Sequence, residues 1–164
     1  MLKWLSNFGK AKMVLAPASG DVTKTVIHCL SFDYRIHVLV GTSIRACMLS
    51  EHFEKATATV NVDPSDLVRL GEGSGAAWNV TDSVGVMALS LPYLSYSTVV
   101  HEVFHLVWKM LRTRGITLSA DTDEVFAYTI GNIAEEVISR LQDRKYAVDT
   151  TDNVRRKLGY NHVF

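Results

Sequence analysis

Apolar positions along the chain change their rhythm near residue 92. Before it they alternate with polar residues or gather in short runs, the period of half-buried and buried strands. Four strands are predicted there: Arg35–Ile44, Lys55–Val62, a strand near Ala76–Val80, and Val84–Leu91. Turn-forming clusters separate them, Asp63-Pro64-Ser65-Asp66 and Gly71-Glu72-Gly73-Ser74-Gly75. After Pro92 the spacing becomes helical. One helix runs through Val99–Leu111, with Ser97 as its cap, Arg112 and Arg114 in its last turn and Gly115 as its stop. A second opens at Asp121 and continues to about Arg144.

Two segments read less simply. Asp21–Phe32 has helical spacing, yet Val22, Thr23, Thr25, Val26 and Ile27 are β-branched and suit a strand equally well. Beyond Lys145 a short helix is predicted at Thr151–Leu158, followed by the tail Gly159-Tyr160-Asn161-His162-Val163-Phe164. Strands followed by two long helices predict an α+β fold, a twisted mixed sheet packed on both helices, as a single domain over 1–164. A chain of 164 residues with 48% hydrophobic positions can bury the core such a domain needs.

Charge and cysteine content narrow the classes. Lys plus Arg equals Asp plus Glu at 17 each, so no excess positive charge is present to hold nucleic acid or an anionic membrane surface, and neither partner is expected. No stretch reaches the roughly 18 apolar residues of a membrane span, and Met13–Ala16 is shorter than a secretory apolar core. Cys29 and Cys47 sit among apolar residues and read as free thiols, which suits a reducing cytoplasmic compartment.

The chemistry gathers in Ser97-Thr98-Val99-Val100-His101-Glu102-Val103-Phe104-His105. Residues four apart on a helix lie one turn above each other, so the imidazoles of His101 and His105 can converge on one ion, expected to be Zn2+. Glu102 projects beside that ion, where a carboxylate serves as general base while zinc activates water for attack on a carbonyl. The surrounding residues are apolar nearly all round the helix, which predicts a buried helix whose histidines and carboxylate must be paired or bind metal. Hydrogen-bonded core histidines are the bland alternative.

A catalytic zinc needs a third protein ligand. The second helix offers Glu124 and Asp123; the longer Glu124 is favoured, although Asp121 and Glu124 also have the spacing of a capping box. Small Ala127 and Gly131 would let the two helices approach. His28, His37 and His52 are expected on strands or loops without catalytic duty.

Strands, then the His101-Glu102-x-x-His105 helix, then a helix opening with Glu124 resembles the gluzincin metallopeptidases. The pairing of His-Glu-Val-Phe-His with Asp-Glu-Val-Phe-Ala-Tyr-x-Ile-Gly is similar to small HExxH proteins of tailed bacteriophages, over about Thr98–Gly131. Val125 stands where the gluzincins have alanine, and Tyr128 where they have an acidic residue that orients a zinc-bound histidine. No oxyanion stabiliser is fixed by motif; Tyr160 and His162 are available. The resemblance implies a cleft bordered by an edge strand that pairs with an extended peptide, and Ala76, Ala77 and Trp78 occupy the corresponding segment. The expected activity is zinc-dependent hydrolysis of a peptide or amide bond in a peptide or protein substrate. The alternative is a phage structural or accessory protein, or a binding module, that keeps the metal site without catalysis; in either case virion association joins the cytoplasm as an expected location.

Overall fold

The computed structural model describes residues 22–58 and 73–148. The ambiguous segment near the start is a strand, β1 (Thr23–Cys29), followed by a single 3-10 turn over Leu30–Phe32. Asp33 then takes a left-handed conformation, φ 46°, which reverses the chain into β2 (Tyr34–Gly41). The two pair antiparallel, from Thr23 opposite Val40 to Cys29 opposite Tyr34. Partner strands decided what the β-branched run left open.

The strand expected over Arg35–Ile44 ends at Gly41, because Ser43 accepts a hydrogen bond from the Ala46 amide and caps a short helix, α1 (Ile44–Met48). A second departure follows. Where a strand was expected from Lys55, Ser50 caps α2 (Glu51–Thr57), and Lys55 pairs with Glu51 one turn back at 2.8 Å. Phe53 and Thr57 form its buried face. The rest of that expected strand, 59–62, lies outside the described residues, as do Thr151–Leu158, Tyr160 and His162.

The later strands are β3 (Gly75–Thr81) and β4 (Val84–Ser90), paired antiparallel with a bulge between Asn79 and Thr81. β4 also pairs with β2 in parallel, giving the order β1-β2-β4-β3 in a mixed four-stranded sheet. β3 is therefore the outermost strand on its side among the described residues.

Two long helices cover one face. α3 spans Tyr96–Thr113, capped by the buried Ser95, whose hydroxyl accepts from the Thr98 amide at 3.1 Å; the cap falls two residues before the expected Ser97. Gly115, at φ +75°, ends it in the expected place. α4 spans Asp123–Asp143 and starts after Thr122, so the Asp121–Glu124 capping box does not form; the Thr122 hydroxyl instead donates to the Thr117 carbonyl. Strand alternation sorts the core in two. Ile36, Val38, Val40, Met87 and Leu89 face Val99, Val103, Leu106 and Met110 of α3 and Ile133 and Val137 of α4. On the other face Leu39, Val86, Ala88 and Ala76 meet Ile44, Cys47, Met48 and Phe53. The fold is α+β, as the order of elements implied. No helix among the described residues is long and apolar enough to cross a membrane.

Candidate metal centre

α3 is amphipathic, not apolar all round as its sequence suggested. Its sheet-facing stripe is fully buried, while His101, Phe104, His105, Trp108, Lys109 and Arg112 are exposed. The helical repeat puts His101 and His105 in one exposed row, and their Nε2 atoms stand 3.1 Å apart with the ring planes at 79°. Without a metal, one of these nitrogens donates to the other. A single ion at about 2.0–2.1 Å from each could span the same gap, so spacing and donor chemistry both fit zinc. Burial pulls the His105 pKa below its ordinary value, with His101 and the Lys109 charge adding to the effect.

Glu102 points elsewhere. About 100° further round the helix, it turns toward β3 and is only 5% exposed, so the buried group of the motif is the carboxylate and not the histidines. It lies directly against Gly75: a Cβ built on that glycine would stand 2.7 Å from Glu102 Cγ and 2.8 Å from Oε1. A side chain at position 75 would displace the carboxylate or the strand. Burial lifts the Glu102 pKa to about 7, the range in which a carboxylate can both take and return a proton near neutral pH. Gly75 had read as part of a turn cluster; its place inside a strand is the usual sign of a close backbone approach.

Glu124 and Asp123 occupy the first turn of α4 and are both exposed, with the Asp123 carboxylate accepting from the Glu124 amide at 2.8 Å. The start of α4 is held near the histidine row through Phe126, whose ring lies 5.9 Å from that of Trp108. Among the described residues, no group of three or more His, Cys, Asp or Glu side chains is gathered to hold a metal. His101 and His105 are thus brought together, and neither carboxylate of α4 joins them.

The three β3 residues divide between the sheet faces. Ala77 packs into the α3 side, whereas Ala76 and Trp78 lie on the far side, where the Trp78 ring meets Phe53 edge-on at 5.3 Å. For a peptide paired along this strand, Ala77 stands on the α3 side and Ala76 and Trp78 on the opposite side. His28 and His37 lie on β1 and β2, while His52 is on the helix α2. Lys109 and Arg112 continue the histidine row toward the end of α3, a stretch the sequence pattern marked only as a helix terminus. The signal was present in the four-residue step from His101 to His105 to Lys109.

No protein-family model, no curated protein and no solved structure matches the chain.

Proposed function

We propose that this protein is a zinc-dependent hydrolase of peptide or amide bonds, of the gluzincin type. The observation that carries the proposal is the pairing of two convergent imidazole nitrogens, 3.1 Å apart, with a buried carboxylate on the adjacent residue. His101 and His105 would hold the ion through Nε2, with Glu124, or Asp123 beside it, as the third donor. Zinc, when bound, supplies Lewis-acid activation of water and of the scissile carbonyl.

The remaining work belongs to the chain. Glu102 takes a proton on its carboxylate oxygen and returns it to the leaving amine, a role suited to a pKa near the working pH. Gly75 leaves the space in which that carboxylate sits. β3, outermost among the described strands, offers backbone groups to an extended substrate. The resemblance at His101-Glu102-Val103-Phe104-His105 supports the same reading, and the two free thiols, Cys29 and Cys47, suit a cytoplasmic setting.

A second reading has one observation in its favour. Because the α4 carboxylates stand apart from the histidines, a binding module or phage accessory protein with a metal site and no turnover also fits. Glu102→Gln separates the two. In the hydrolase it keeps zinc and fold while turnover falls on the order of 10²-fold or more. Equal cleavage by the fully zinc-loaded variant would remove Glu102 from the mechanism, whereas absence of cleavage by zinc-loaded wild type across a broad peptide screen would remove the hydrolase proposal.

A further inference from the structure

A cavity of about 460 Å3 opens between the end of β3 and the last turns of α3, beyond the histidine row. Its walls carry Asn79, Thr81 and Asp82 from the strand side and Lys109, Arg112 and Thr113 from the helix. Both cations are exposed, and among the described residues neither forms a salt bridge. Asp82 offsets one positive charge, and the other remains. Asn79 adds a second, independent observation: Nδ2 and Oδ1 are both shielded from solvent, and neither has a hydrogen-bond partner among the described residues. An amide left in that state is unfavourable, and a ligand that completes it removes the cost.

We propose that this cavity is a subsite for a peptide carboxylate, and that the substrates of this site carry an anionic group a short distance from the bond to be cut. Lys109 and Arg112 donate to the carboxylate, and a turn of the shielded Asn79 side chain into the cavity it lines brings Nδ2 to join them. Asn79 Oδ1 accepts a main-chain N–H of the same peptide, which satisfies both ends of the amide. The helical rise sets the spacing. Lys109 and Arg112 lie four and seven residues beyond His105, roughly 6 and 10 Å along the axis. At about 3.3 Å per extended residue, the carboxylate falls two or three residues from the reacting centre. An acidic side chain and a C-terminal carboxylate present the same chemistry here. The inference deepens the hydrolase reading and rests on it for the words "bond to be cut"; the carboxylate preference itself does not.

Binding is measured by fluorescence anisotropy on zinc-loaded Glu102→Gln protein, which prevents turnover, with three labelled peptides on one scaffold. They are Ala-Ala-Phe-Leu-Ala-Glu amide, its Gln amide counterpart, and the Gln peptide with a free C-terminus. One carboxylate peptide, or both, should bind about tenfold or more tighter than the Gln amide, the scale of a charge-assisted contact. Which of them gains tells side-chain from terminal recognition. Adding Lys109→Met or Arg112→Met should erase the advantage while zinc content stays unchanged. Equal binding of all three peptides, binding of none, or an advantage that survives both substitutions would overturn the subsite. Wild-type cleavage of the same peptides is scored separately. A carboxylate preference without cleavage would sink the hydrolase reading and leave the subsite standing; cleavage without preference would do the reverse.

Discussion

Glu102 is the residue on which burial and chemistry meet. It sits one position from an exposed histidine, yet the helical turn sends it under β3, where desolvation alone raises its pKa to about 7 from an ordinary value of 4.5. That shift has a consequence for stability with a definite sign. Between those two pH values the folded, zinc-free protein holds a proton that the unfolded chain has lost, so stability falls as pH rises. The contribution is complete below pH 4.5 and gone above pH 7, a total of about 3 kcal/mol at 1.36 kcal/mol per unit. His105 acts in the opposite sense: its lowered pKa makes stability rise with pH up to the ordinary histidine value of 6.5. Urea unfolding of zinc-free wild type and Glu102→Gln across pH 4–8 isolates the carboxylate. The difference between the two should narrow or reverse as pH rises in favour of the variant; a constant difference would mean that Glu102 is not desolvated in solution.

At the scale of elements, β3 does two separate jobs on its two faces. Gly75 faces Glu102, and Trp78 faces Phe53 across the sheet. Trp78→Ala should therefore destabilise the protein by about 2–3 kcal/mol, somewhat less than a fully buried aromatic, and leave zinc binding and turnover intact. Gly75→Ala should keep zinc and lower turnover by about tenfold or more, as the general base is pushed aside. Thermal melts and cleavage assays on both variants check the contrast, and the opposite assignment of effects would contradict the placing of β3. The elements themselves were legible to differing degrees. β3, β4 and the two long helices follow from strand-type runs and helical spacing, because each helix buries one stripe and β4 is a short apolar run buried on both faces. α1 and α2 were hidden because their signals are two serine caps and one Glu51–Lys55 pair, too short to outweigh the β-branched residues that follow. β1 could not be decided locally, since pairing with β2 is what makes it a strand. The histidine pair was legible from a four-residue step, whereas the Gly75–Glu102 contact joins residues 27 positions apart and needed the fold.

Across the whole molecule, the proposed centre joins a histidine row on α3, a carboxylate shielded by β3 and a pair of acidic residues opening α4. The last connection is the one that packing alone leaves apart, because Glu124 and Asp123 are exposed while Phe126 docks on Trp108. If Glu124 is the third donor, Glu124→Gln should weaken zinc affinity by at least the roughly 10–100-fold that follows loss of a mere outer partner of a metal ligand, and Asp123→Asn should change it little. Competition with a zinc-binding dye measures both, and the reverse order would give the position to Asp123. The central claim, that His101 and His105 hold zinc, is tested most directly by the metal content of protein purified without added zinc. Elemental mass spectrometry should find about one zinc per chain in wild type and almost none in folded His105→Ala, since one imidazole cannot replace a converging pair. A full equivalent of zinc retained by His105→Ala, or none in wild type reconstituted with zinc, would contradict it.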